Sequence, residues 1–193
     1  MKNLALKASL VASLLVSQAF AESAFIGFEG DYSFKSNIKG DGGSIGKGQA
    51  GLGIKAGYDF DTFRVYGAYV YDLEAKKDST DENGDKEELK WNKHSVLIGG
   101  DYTPSIGDSF KLLAGAYTGV SRINIKVRSD DESGKVNFTG VVVGAKLGAI
   151  YEFDKNNAVE FGYKADYTKY SKKNDASLKE TNHGLFVGYT YKF

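Results

Sequence analysis

From His183 to Phe193 every second residue is built for an oily surface: Leu185, Val187, Tyr189, Tyr191 and Phe193. Between them stand Gly184, Phe186, Gly188, Thr190 and Lys192, a mostly small or polar set. Successive side chains of an extended segment point to opposite faces, so the two faces of this one call for different solvents. The same period of two recurs in seven earlier segments, each about the length of a tilted membrane strand of ~9 to 11 residues.

The apolar rows run through Ile26, Phe28, Tyr32 and Phe34, then Leu52, Ile54, Tyr58 and Phe60, then Phe63, Val65, Tyr69 and Tyr71, then Val96, Ile98 and Tyr102. The second half continues with Phe110, Leu112 and Val120, with Val141, Val143, Leu147 and Phe153, and with Val159, Phe161, Tyr163 and Tyr167. None of these rows carries Lys, Arg, Asp or Glu, although such residues make up 26% of the chain. That absence decides the class, because Lys or Arg facing lipid at mid-depth costs roughly 2 to 4 kcal/mol. A slip of one residue would place Lys55, Lys146, Lys164 and Asp166 in hydrocarbon. A soluble sandwich or lipocalin-like barrel would turn the apolar rows inward and leaves the Tyr and Phe at both their ends unexplained. The mean hydropathy of -0.35 does not oppose a membrane protein, since alternation averages the apolar residues away. The expected fold is therefore all-β, an eight-stranded antiparallel transmembrane barrel with up-and-down meander topology.

Connection lengths agree. Residues 61–62, 103–109 and 154–157 are short links, whereas residues 35–48, 75–89, 128–136 and 171–181 are longer and polar. Short and long alternate, as periplasmic turns and extracellular loops do, and an even strand count returns both termini to the periplasm. Ile123, Ile125 and Val127 extend the fifth segment and raise the question of an edge projecting above the membrane. At the amino end, Lys2 and Lys7 precede an apolar stretch that ends in Ala19-Phe20-Ala21. This is the layout of a secretory signal peptide with small residues at Ala19 and Ala21, so residues 1–21 are expected to be removed and residues 22–193 to form the single barrel domain.

The absence of Cys excludes disulfides and thiolate metal sites, and the balance of 25 basic against 25 acidic residues gives no reason to expect nucleic acid as a partner. An eight-stranded barrel is just wide enough for side chains to fill it. The inward rows hold Glu29, Asp31, Lys55, Asp59, Arg64, Asp72, Lys93, Asp101, Lys111, Lys146, Glu152, Glu160, Lys164, Asp166 and Lys192. Isolated buried charges are costly and paired ones tolerable, so these residues are expected to form a mixed-charge network that plugs the lumen. Counting across the short links sets Asp59 opposite Arg64, and Lys146 opposite Asp166. Inward glycines, Gly51, Gly115 and Gly144 among them, are expected to make room for long neighbours.

With these features the chain resembles the small eight-stranded outer-membrane barrels, the family of the OmpA transmembrane domain, OmpX and the opacity-like surface proteins. The resemblance covers residues 22–193 and includes the terminal Tyr189-Thr190-Tyr191-Lys192-Phe193. It implies that Tyr189, Tyr191 and Phe193 form a signal read by the barrel-assembly machinery. It also implies a Gram-negative outer-membrane location and contact with outer-membrane lipid and lipopolysaccharide. The barrel is expected to be a monomer whose extracellular loops serve membrane stability or hold an outside ligand. A narrow porin-like channel is the alternative, and a lipid A-modifying enzyme a more distant one. The only two histidines, His94 and His183, fall on the outward rows of strands four and eight, and Ser95 faces the lumen, so they do not build a His and Ser site. Residues 81–85 fail the spacing of an EF-hand, residues 129–133 read as a charged loop, and residues 40–48 lack the strand-to-helix setting of a phosphate loop. No catalytic residue, cofactor site or metal site is expected.

Overall fold

The computed structural model describes residues 24–40, 43–80, 86–128, 133–171 and 178–193. The expected signal peptide and its Ala19 and Ala21 lie outside the described residues. Eight strands, β1 (Ala24–Gly40), β2 (Gly43–Asp59), β3 (Phe63–Thr80), β4 (Lys86–Tyr102), β5 (Phe110–Arg128), β6 (Ser133–Glu152), β7 (Asn157–Tyr170) and β8 (Leu178–Lys192), close into one barrel in sequence order. Every neighbouring pair is antiparallel, and β8 meets β1 with Phe25 opposite Lys192. Closure leaves no unpaired edge, which hydrocarbon demands of any sheet that crosses it.

The wall is inverted relative to a soluble protein. Ile98 and Leu147 expose 67% and 66% of their surface, whereas Arg64 and Glu160 expose 1% and 0%. Aromatic side chains cluster at the ends of the apolar band, with Phe110, Tyr151 and Phe153 in ring contact at one end and Tyr32, Phe34 and His183 at the other.

The expected long loops need correction. β1 runs on to Gly40 and β2 starts at Gly43; β3 reaches Thr80, β5 reaches Arg128 and β8 begins at Leu178, so most of those polar segments are paired strand. The turn at residues 60–62, in contrast, forms a tight reversal in which Phe60 N–H donates to the Phe63 carbonyl at 2.8 Å and Asp61 takes a φ of 68°. Strands of up to 20 residues exceed what a bilayer needs, so the barrel stands above the membrane on its extracellular side.

Two β-bulges organise that projection. Register shifts between Ser33 and Ser36 on β1, and between Asp72 and Ala75 on β3, exchange the two faces of each strand. Beyond them Ile38 and Ala75 turn inward and join Trp91, Ile123, Tyr170 and Leu178 in a buried apolar cluster. Glu74 turns outward for the same reason, with its carboxylate 3.8 Å from Lys126. The extension of β5 is no free edge: it pairs with β4 and β6 up to Arg128, and Ile123 and Ile125 pack into the cluster.

Inward glycines give room to large neighbours. A Cβ on Gly99 would lie 2.5 Å from the Tyr66 ring, and one on Gly144 would run into the ring of Tyr117. Gly144→Val should therefore lower the urea stability of the refolded barrel by about 1 to 3 kcal/mol through overpacking. Gly67 faces outward with its nearest obstacle 3.9 Å away, and Gly67→Val should change stability by no more than about 0.5 kcal/mol.

Candidate functional site: the charged lumen and its cap

Four tiers of ionised side chains fill the barrel from its periplasmic end upward. At the rim, Lys192 from β8 lies 2.9 Å from Asp59 and 2.6 Å from Glu152, and Lys111 lies 3.5 Å from Glu152. Lys111 also bonds at 2.8 Å to Asp61 in the β2–β3 turn, and this hydrogen bond holds the Asp61 carboxyl below its ordinary value.

The second tier centres on Glu160 from β7. Arg64 Nη1 donates to Glu160 Oε1 at 2.9 Å and Nη2 to Oε2 at 3.2 Å. Lys55 Nζ donates to Glu160 at 2.7 Å and Thr190 Oγ1 at 2.6 Å, so one carboxylate ties together β2, β3, β7 and β8. Arg64 also reaches Asp101 at 2.9 Å, and Lys146 completes that pair at 3.1 Å while lying over the Tyr66 ring. A carboxylate that accepts a forked guanidinium and two further donors has its desolvation well compensated.

The third tier joins Lys164 to Glu29 at 3.1 Å and to Asp31 at 3.0 Å, and Asp166 accepts from Tyr117 at 3.3 Å and Asn182 at 3.0 Å. The fourth holds Lys93 between Asp72 at 3.3 Å and Glu180 at 3.4 Å. Glu180, fully buried, accepts from Ser36 at 2.9 Å, from Asn182 at 3.1 Å and from Tyr170. Above this tier lies the apolar cluster around Trp91, and a second one of Leu113, Ile150, Ala158 and Phe186 fills the β5–β8 side. A cavity of about 50 Å³ remains between the upper tiers, lined by Asp31, Tyr117 and Asn182 among others.

One of the two expected cross-strand placements holds and the other does not. Asp59 does lie opposite Arg64 in the register, but its ion pair is with Lys192. Lys146 faces Lys164, and Asp166 faces Gly144. The cause is the β6–β7 turn, which is centred one residue earlier than counting across residues 155–157 places it. Asp154 accepts from the side chain of Asn157 and from the backbone N–H groups of Asn156 and Asn157, and Phe153 N–H bonds to the Asn157 carbonyl at 2.9 Å. These hydrogen bonds hold the Asp154 carboxyl below its ordinary value and set the register two residues from the expected one. Sequence reasoning also missed Glu180, Tyr170 and Trp91. Glu180 falls in a stretch that reads as a loop, and the phase change at the bulges that builds its surroundings leaves no mark on simple alternation.

On the outer wall, His94 bonds to Tyr69 at 2.6 Å and stacks on Tyr71, while His183 bonds to Tyr163 at 2.8 Å. β4 and β8 are separated by three strands in either direction, and Ser95 points inward to Ser121 at 2.7 Å. Among the described residues no group of three or more His, Asp or Glu has a metal-binding arrangement. Tyr189, Tyr191 and Phe193 all face outward at the periplasmic end of β8. Residues 81–85 and 129–132 lie outside the described residues.

The fold has solved counterparts. The attachment invasion locus protein Ail of Yersinia pestis is 20% identical, with a TM-score of 0.52 over 88% of this chain and 99% of its own. A major outer membrane protein from Thermus thermophilus is 10% identical, with a TM-score of 0.55 over 89% of this chain and 100% of its own. At such identities the likeness is one of fold. No functionally curated protein matches the chain. Residues 8–193 match the family described as the outer membrane protein beta-barrel domain. Taken with an apolar outer wall, a closed antiparallel sheet and an ionic interior, this match places the chain in that family, as a protein of the Gram-negative outer membrane with periplasmic termini.

Proposed function

We propose that the protein is a sealed, monomeric outer-membrane barrel without enzymatic activity, which stabilises the envelope or engages outside partners through the end it projects beyond the membrane. The observation that carries this reading is the filled lumen: four ion-paired tiers, a residual cavity of about 50 Å³ and an apolar cap. A solute path would need hydrated space running the length of the barrel, and the tiers occupy it. The long paired hairpins support a surface role, because they hold the extracellular end as a rigid extension of the wall. A barrel of the same fold, Ail, is an attachment invasion locus protein, which supports the surface reading. The outward Tyr189, Tyr191 and Phe193 are the residues we assign to recognition by the barrel-assembly machinery.

Purified protein in planar bilayers should show no large, stable open conductance; a persistent open level would overturn the sealed-lumen reading in favour of a channel. Glu160→Gln should lower stability in denaturant titrations by about 3 kcal/mol, since it removes the buried carboxylate that Arg64 and Lys55 share and leaves Arg64 only Asp101 and Lys55 only the more distant Glu29. Replacing residues 79–87 with a two-residue turn, which leaves the cap intact, should abolish binding to host cells or serum factors if the protein is an adhesin. Loss of envelope integrity with unaltered binding identifies the stabilising role instead.

A further inference from the structure

The four tiers do not balance. In the second tier Arg64, Lys55 and Lys146 share two carboxylates, Asp101 and Glu160, and the spare positive charge reaches up to Glu29 through Lys55 at 3.8 Å. Above it Asp31, Asp72, Asp166 and Glu180 have two ammonium groups between them: Lys164, 3.0 Å from Asp31, and Lys93, between Asp72 and Glu180. Asp166 has neutral hydrogen-bond partners only, Tyr117 and Asn182. Asp31 and Asp72 flank Gly51 in one row, and a Cβ there would lie 2.5 Å from the first carboxylate and 3.0 Å from the second. Lys47, the next basic residue up β2, is exposed. Two negative charges are thus left over inside a narrow lumen, where an unmatched charge is costly.

One buried side chain points to what offsets them. Asn182 is 3% exposed, and its Nδ2 donates to Asp166 at 3.0 Å and to Glu180 at 3.1 Å. Those two bonds fix the amide, because the opposite orientation would set its oxygen against two carboxylates. Asn182 Oδ1 is then buried without a hydrogen-bond donor, an omission that protein interiors avoid. Asn182, Asp31, Asp72 and Asp166 all line the cavity of about 50 Å³, which has room for roughly three water-sized groups.

Charge, space and the orphaned oxygen together select the occupant. A proton on Asp166 would remove one charge, but it would fill no space and give Asn182 Oδ1 no partner. Water would serve Asn182 and leave the charge. Calcium or magnesium calls for a cage of converging carboxylates, which the described residues do not form. A small monovalent metal cation lowers the surplus charge, takes hard oxygen ligands from an amide and carboxylates, and fits the cavity together with water. We propose that the upper lumen is a buried binding site for an alkali cation, with sodium favoured by the size of the cavity, Asn182 Oδ1 as a ligand and Asp31, Asp72 and Asp166 around it. The site goes beyond the envelope role proposed above: it gives the sealed lumen a resident ion that enters as the barrel folds, and it needs no path along the barrel.

The test is urea unfolding of the full barrel refolded into zwitterionic detergent, with sodium chloride replacing choline chloride at constant ionic strength and pH. The boiled-versus-unboiled gel shift verifies, independently of the ion, that each variant is a closed barrel. For the wild type, the ratio of folded to unfolded protein at a fixed urea concentration should rise about tenfold as sodium reaches about ten times its dissociation constant, by mass action. Asp166→Asn keeps the shape of the side chain and removes one charge, so it should close normally and lose the rise. Glu74→Gln, on the outer wall beside Lys126, should keep it. No rise in the wild type, an equal rise in Asp166→Asn, or loss of the rise in Glu74→Gln overturns the proposal. A stability that ignores sodium but falls as the solution is made more alkaline assigns the surplus charge to bound protons, and also overturns it. Crystals of the wild type grown with thallium(I) acetate give a readout that needs no variant: an anomalous peak beside Asn182 Oδ1 supports the site, and no peak in the lumen overturns it. Failure of the wild type to show the gel shift would defeat the closed barrel itself, and this site with it.

Discussion

The cost of holding ionised groups away from water governs the interior of this barrel. Lipid on the outside denies every charged residue of the spanning wall any place but the lumen, and the lumen of eight strands is too narrow to hydrate them singly. The ions must therefore satisfy one another. Glu160 shows the outcome most fully: Arg64, Lys55 and Thr190 converge on its carboxylate from three other strands. Such a node fixes the mutual position of strands that hydrogen bonding along the wall alone would allow to shift, because a slipped register would leave buried charge without a partner.

Above the membrane the constraint relaxes, and the same strands change their interior chemistry. The bulges at Ser33–Ser36 and Asp72–Ala75 reverse the faces of β1 and β3, so Ile38 and Ala75 meet Trp91 and Ile123 inside. The projecting part thus carries a small apolar core of the soluble kind, with lysines and asparagines outside it. The fourth ionic tier, Lys93 with Asp72 and Glu180, lies at the junction between the two regimes.

Much of this was legible in the chain. Period two, with charge confined to one phase, identified the spanning parts of all eight strands and the inward residues from Glu29 to Lys192, because a membrane punishes any exception. The partners of Asp59 and Lys146 were not legible. Partner choice depends on the register set by the Asp154 turn and on the reach of flexible side chains across the lumen, neither of which alternation encodes. The polar segments after residues 35, 75, 128 and 171 read as loops because, once outside the bilayer, a paired strand no longer needs an apolar face. Glu180 was hidden by that same change of solvent.

The chain contains no cysteine, so single cysteines for nitroxide labels can be placed at outward positions without background. In liposomes, labels at Ile98, Leu147 and Val187 should be relaxed more strongly by dissolved oxygen than by a water-soluble nickel chelate, and labels at Lys126 and Lys179 should show the reverse. A nickel preference at Ile98 and Leu147 would mean that water, not hydrocarbon, bathes the apolar wall, and would contradict the partition on which the ionic lumen depends.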